Sequence, residues 1–348
     1  MKPLLYASVF LFVGACATQS YKEKMQDIED AITIVDPDLV TNYANSITAE
    51  ELKTHLYIFA SDDFEGRETG SKGQKLAADF IKRYYINEQI ASPANANTYY
   101  QHIPASYFGN NYNSTENVLA FIPGNDRSQD VIVISAHYDH EGRDENGNIY
   151  YGADDDGSGT VAILEIAQAF KKAKADGNGP RRSILFLHTT AEEVGLQGSR
   201  YYTENPVFPL ENTIANLNID MIGRVDKYHA DPENSDYVYL IGSDRLSTEL
   251  HFISEVVNDH FYDLKLNYKY NSDDDQNRYY ERSDHYNFAK KNIPVIFYFN
   301  GEHEDYHKIT DTPDKINYEL LAKRAKLIFA TAWQLANQEK RIVADKAR

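Results

Sequence analysis

Cysteine is almost absent. Cys16 stands alone among 348 residues, so the chain closes no internal disulfide and offers no thiolate cage for a metal. Any metal must be held by histidine, aspartate and glutamate. Positive charge is scarce too: 35 Lys plus Arg face 53 Asp plus Glu, and a net charge of −18 repels phosphate backbones and anionic headgroups. Nucleic acid is therefore not an expected partner. No Gly-rich phosphate loop of standard spacing occurs, no serine sits in an elbow between glycines, and no internal repeat is found. What is there is ordinary for a globular chain: 42% apolar and 25% charged residues, with 18 Gly and 11 Pro.

The first residues have a different character. One basic residue, Lys2, precedes an apolar run from Leu4 to Val13, which leads through Gly14 and Ala15 to Cys16 and then to polar sequence. That run is about half of the ~20 residues that span a bilayer, so it reads as a signal peptide over residues 1–15. Small residues before the only cysteine resemble a bacterial lipobox. The resemblance implies export to the cell envelope, periplasm or outer membrane, with a lipid on Cys16 as the only membrane attachment; an ordinary secreted protein is the alternative. Residues 16–46 then read as tether and lead-in, and residues 47–348 as one domain.

Thr48 three residues before Glu51, and Ser71 three before Gln74, match helix-starting capping boxes. The first helix presents Leu52, Leu56 and Phe59 on one face; the second is expected to bury Leu76, Phe80 and Tyr84. Apolar runs at Asn117 to Ile122, Val131 to Ser135, Ser183 to Leu187, Ile214 to Ile219, Tyr237 to Ile241 and Pro294 to Phe299 read as strands. Helical stretches at Gly159 to Lys172, Leu246 to Phe261, Ser283 to Lys291 and Tyr318 to Asn337 alternate with them. This alternation predicts a three-layer α/β sandwich: a mixed, largely parallel central sheet with helices on both faces.

In open α/β sheets ligands collect outside the carboxyl ends of the strands, so the residues just after each strand matter most. After Val131 to Ser135 come His137 and Asp139, and the turn Gly152 to Gly159 carries Asp154, Asp155 and Asp156. Glu192 and Glu193, Asp220 and His307 follow three further strands. Singly, each is a commonplace surface acid or packed histidine. Gathered in one pocket, the carboxylates could not all stay ionised without cations, because burial and like charge both raise their pKa values. Oxygen and imidazole donors suit zinc, manganese or cobalt, and a bridging carboxylate would hold two ions ~3.5–4 Å apart.

Five segments carry a family likeness. Ser135-Ala-His-Tyr-Asp-His140, Gly152-Ala-Asp-Asp-Asp-Gly-Ser-Gly159, Thr190-Ala-Glu-Glu-Val-Gly195, Asn218-Ile-Asp-Met221 and Tyr306-His-Lys-Ile-Thr-Asp-Thr-Pro313 resemble the metal-site motifs of the co-catalytic zinc aminopeptidases of clan MH. That group includes relatives of glutamate carboxypeptidase, the transferrin receptor ectodomain and glutaminyl cyclase. Phe64-Glu-Gly-Arg-Glu-Thr-Gly70 is similar to the family's lead-in. The resemblance implies two divalent ions, zinc in the family, with His137 and Asp220 on one, Glu193 and His307 on the other, and Asp155 between them. It implies Glu192 as general base, Asp139 as acceptor of the second His137 N–H, and Tyr280 as stabiliser of the developing oxyanion. Asp156 stands where many members have Asn. The implied substrates are peptides with a free N-terminus.

His303-Glu-Asp-Tyr-His307 also fits the one-zinc metalloprotease pattern, which requires a helix. It begins just after Gly301 and runs towards Pro313, so a loop is expected, with His307 a ligand and His303 at the pocket rim. His140, His188 and His285 are expected to pack or to support ligands, and Asp273 to Asp275 to form a solvated loop. A one-zinc glutaminyl cyclase-like acyltransferase and a non-catalytic receptor share this scaffold as rival readings, and dipeptidase or carboxypeptidase chemistry stays open beside the aminopeptidase. About 30 residues separate the helix that carries Leu76, Phe80 and Tyr84 from the strand at Asn117, too few for an inserted domain.

Overall fold

The apolar runs at Val131, Ser183, Ile214 and Pro294 become neighbouring strands, because runs this hydrophobic are stable only with both faces covered. The computed structural model describes residues 20–93 and 98–347; the signal peptide expected over residues 1–15 and Cys16 lie outside the described residues. In chain order it contains α1 (Tyr21–Asp30), α2 (Pro37–Ala44), α3 (Ala49–Phe59), α4 (Lys72–Asn87), β1 (Tyr100–Ile103), β2 (Thr115–Ile122) and β3 (Arg127–His137). Then follow α5 (Gly159–Ala175), β4 (Arg182–Thr189), α6 (Gln197–Glu204), β5 (Thr213–Ile219), β6 (Tyr237–Ile241), α7 (Thr248–Phe261), β7 (Lys265–Asn267), α8 (His285–Ala289), β8 (Val295–Phe299) and α9 (Tyr318–Asn337).

One eight-stranded sheet runs in the order β1-β2-β4-β3-β5-β8-β6-β7. Its centre, β4-β3-β5-β8, is parallel throughout, so these strands deliver their carboxyl ends to one rim. The flanks are antiparallel at β1-β2, β2-β4 and β8-β6, which makes the sheet mixed, as expected. Alternation sorts the core into two layers. Ile132, Ile134 and Ala136 of β3 join the larger cluster with Ile166 and Phe170 of α5 and Leu321 and Phe329 of α9. Val131 and Val133 face the other way, towards Tyr202 of α6 and Phe288 of α8.

Two local expectations change. Thr48 and Ser71 do cap α3 and α4, accepting the amides of Glu51 and Gln74 at 3.2 and 3.1 Å. The buried face of α4 is, however, rotated from the expected one: Tyr84 is buried as expected, but Leu76 is 42% exposed and Phe80 only partly buried, while Gln74, Ala77, Ala78, Ile81 and Tyr85 face inward. Gln74 explains the rotation, because its amide accepts from Gly70 N and Thr115 and donates to Tyr138 and Thr190 inside the fold. A buried amide with four partners outweighs one exposed leucine. Upstream, α2 packs its Val40, Tyr43 and Ala44 into the main core, with Tyr43 stacked on Trp333, so the packed body includes part of the lead-in segment. Among the described residues no helix is long and apolar enough to cross a membrane.

Candidate metal centre

Because the central strands are parallel, the segments leaving β3, β4, β5 and β8 converge on one rim of the sheet. His137 ends β3, Glu192 and Glu193 follow β4, Asp220 follows β5 and His307 lies beyond β8. Asp155 comes from the turn that starts α5. Its two carboxylate oxygens face different imidazoles: Oδ1 lies 3.1 Å from His137 Nε2 and Oδ2 lies 3.1 Å from His307 Nε2. Asp220 Oδ1 is 3.7 Å from His137 Nε2, and Glu193 Oε2 is 3.4 Å from His307 Nε2. Two donor sets result, sharing Asp155: an inner one with His137 and Asp220, and an outer one with His307 and Glu193. Donor atoms of His137, Glu192 and Asp220, and of His137, Asp155 and Glu193, fall within 4.8 Å of one another. Imidazole and carboxylate donors at these separations fit divalent cations of the zinc type.

The electrostatics show what the donors need. Burial alone would push the His137 imidazole down, but Glu192, Asp220 and Asp155 outweigh it and hold the ring well above its ordinary range. His307 rises to about 9 for the same reason, the Asp155 and Glu193 carboxylates exceeding the effect of burial. Burial would raise Asp155; its hydrogen bonds to the two rings carry it well below the carboxylate range instead. Glu192 is pushed well above that range, first by burial, then by the neighbouring Asp220, Glu193 and Asp284. Ring protons thus supply the positive charge that the carboxylates demand, the task a bound cation performs in their place.

Only the middle residue of the aspartate triplet faces the donors. Asp156 accepts Gly159 N and Met221 N at 2.9 and 3.0 Å, tying the turn to the end of β5. Asp154 accepts Gly223 N at 2.7 Å and faces His303 Nε2 at 3.1 Å, and Asp311 accepts the amides of Asp154 and Asp155. Beneath them the buried Arg67 donates to the carbonyls of Phe59, Tyr138, Tyr151 and Gly152. Asp220 is steadied from the sheet: Asn216, Ser135, Asn218 and Ser283 form a buried hydrogen-bonded chain, ending with Ser283 Oγ donating to Asp220 Oδ2 at 2.6 Å. Ala191, Met221 and His307 have φ of 55°, 61° and 53°. Each left-handed non-glycine costs ~1–3 kcal/mol, and all three adjoin or are donors.

Three expectations are corrected. His137 Nδ1 lies 3.1 Å from the backbone carbonyl of Asp139 and 3.8 Å from its carboxylate, because the loop turns the peptide towards the ring. The Asp139 carboxylate instead accepts Glu192 N and the Thr69 hydroxyl, so it fixes the backbone under Glu192. Tyr280 is not in the cleft; its ring packs against His285 and under the Arg245 guanidinium in a separate small pocket. His303 is buried against Asp154 rather than at the rim, and residues 303–307 form turns, not a helix. The cleft over the donors has a volume of about 370 Å³ and is walled by Tyr279, Phe297, Phe299, Met221 and Tyr306. Tyr306, whose ring lies against His307, was missed by the sequence reading although it is that ligand's neighbour; Arg282, 3.4 Å from the Tyr306 hydroxyl and 3.2 Å from Glu302, had no signal.

Comparison with known proteins agrees with this architecture. Residues 117–332 match the model of peptidase family M28. A probable zinc metalloprotease of Pyricularia oryzae is 30% identical over 261 residues, covering 64% of this chain and 50% of its own. Leucine aminopeptidase 1 of Penicillium rubens is 29% identical over 236 residues, covering 63% of this chain and 56% of its own. The chain thus spans about half the length of these curated relatives. The crystal structure of the LapA aminopeptidase of Legionella pneumophila superimposes with a TM-score of 0.69 at 21% identity, over 88% of this chain and 77% of that one, which is a likeness of fold.

Proposed function

The chain belongs to peptidase family M28, and from that premise we propose that it is a metal-dependent exopeptidase, an aminopeptidase that hydrolyses the first amide of peptides with a free N-terminus. The carrying observation is Asp155, which turns one oxygen to each of two imidazoles beside a cleft that Glu192 lines. Two donor sets favour a two-cation peptidase over a one-metal cyclase. His137, Asp220, Glu193, His307 and Asp155 would hold the ions, zinc on this donor chemistry, which supply Lewis acidity to the scissile carbonyl and the attacking water. Glu192, which lines the cleft beside the donors, would take the proton from that water and return it to the leaving amine. Tyr306 lines the cleft and Tyr280 does not, which supports the Tyr306 hydroxyl as the donor to the carbonyl oxygen as charge develops there. Beyond the donors the rim carries Glu281, Glu302 and Arg282, with Arg282 engaged by Glu302, so it suits an ammonium better than a second carboxylate.

The test is a panel of aminoacyl amides and N-blocked peptides with and without chelator. Free amino acid should come only from unblocked substrates and stop on chelation; release from the C-terminus of blocked peptides would overturn the aminopeptidase reading. Glu192→Gln should keep fold and metal while activity falls at least ~10²-fold; near-normal turnover would remove Glu192 as the base. The layout of residues 1–16 supports an exported lipoprotein anchored at Cys16. Palmitate labelling in a bacterial host should disappear in Cys16→Ser, and an unlabelled parent chain would refute the anchor.

A further inference from the structure

β3 ends in His137, and the loop after it carries Asp139, then His140 and Glu141, of which the last two have no part in the chemistry above. Both touch the outer donor set. His140 Nδ1 lies 2.8 Å from Glu193 Oε1, leaving Oε2 to face His307. Glu141 Oε1 lies 3.1 Å from His307 Nδ1, leaving Nε2 to face Asp155 and Glu193. Consecutive residues therefore grip the two unshared donors of the outer set, and His140 Nδ1 also lies 3.9 Å from the shared Asp155 Oδ2.

We propose that His140 and Glu141 are positioning residues that create the outer cation site, an inference that rests on the two-cation reading. The inner site needs no such help: His137 ends a central strand, is 1% exposed, and has its Nδ1 on a backbone carbonyl. His307 sits on a turn with left-handed backbone and a side chain 34% exposed, so no strand orients its ring, and the packing it has comes from the loop rings of Tyr306 and His140. A carboxylate at Nδ1 fixes the tautomer that leaves Nε2 as the donor and increases its basicity. An N–H on one oxygen of Glu193 likewise commits the other oxygen to the ion.

Zinc titration of the full metal-free chain against a chelating indicator tests this. The parent chain should take up two ions. Glu141→Ala should weaken one of them ~10–100-fold and leave the other unmoved; Glu141→Gln, which keeps an acceptor for the N–H, should fall between. His140→Ala should weaken the same ion. In a His307→Ala background, Glu141→Ala should add nothing further. The metal-free thermal midpoint of Glu141→Ala should match the parent, since this side chain is itself 34% exposed and a merely structural pair would leave both ions alone. Two tightly held ions in Glu141→Ala, equal weakening of both, or an additive loss in the His307→Ala background would overturn the inference. A parent chain that binds a single ion would overturn the two-cation reading instead.

Discussion

His137 and His307 face the same carboxylate at the same 3.1 Å, yet their surroundings are opposite. The first is sealed under the sheet rim and held by a strand, its partner Asp220 backed by a chain of buried amides and hydroxyls. The second stands at the mouth of the cleft on a turn, and loop side chains steady it. The difference separates what the α/β scaffold supplies from what loops add. A donor at the end of a buried parallel strand is oriented by folding itself, whereas a loop donor needs its own supporting contacts, and it is there that members of one fold are free to differ.

The sharpest way to break this comparison is to remove the residue common to both sides. Asp155→Ala should lower kcat/KM by ~10³-fold or more and reduce bound metal; a variant that kept both ions and stayed within tenfold of the parent would mean the two sides are independent. Tyr306 belongs to the open side and Tyr280 to neither. Tyr306→Phe should therefore cost ~10²-fold in kcat with KM little moved, and Tyr280→Phe less than about twofold. Equal effects would dissolve the distinction drawn from their placement.

Acid should act through the sealed side. His188 and His285 are buried and held neutral, burial carrying each down to about 3 from an ordinary value of 6.5. Below 6.5 the unfolded chain binds protons that the folded one refuses. Stability present above that pH is therefore lost as pH falls towards 3, by about 1.4 kcal/mol per pH unit for each histidine. Urea unfolding of the metal-free chain at pH 7 and pH 5, set against His188→Asn and His285→Asn, reads the slope, because the raised His137, Glu192 and His307 act with the opposite sign and cancel in the difference; an unchanged pH dependence in both variants would show that these rings are not sealed. Metal-free protein is specified because proton competition for the donors would otherwise add to it.

Much of this was legible in sequence, for physical reasons that also explain the failures. The central strands are readable because burial on both faces demands unbroken apolar runs; the edge strands Tyr100–Ile103 and Lys265–Asn267 carry no such demand and went unread. The rotated face of α4 was unreadable because Gln74 turns inward to Thr115 of β2, to Tyr138 and Thr190 just after β3 and β4, and to Gly70 before its own helix, which periodicity cannot register. The donors could be picked out because they follow strands whose ends must meet. Asp139 shows the limit: two residues from His137, it presents its peptide to the ring and its carboxylate to Glu192, a matter of loop geometry rather than spacing. Tyr279 and Tyr280 are another case, since adjacent positions on one short turn send one ring to the cleft and the other away from it.

Arg67 gives the molecule an unexpected boundary. Its guanidinium is bound to carbonyls from α3, from the loop behind His137 and from the turn that leads to Asp155, and it stacks on Phe59. The span shared with family M28 begins downstream of it, at residue 117. An excised fragment beginning there would keep every proposed ligand and still lack the peg that pins the two ligand-bearing turns together.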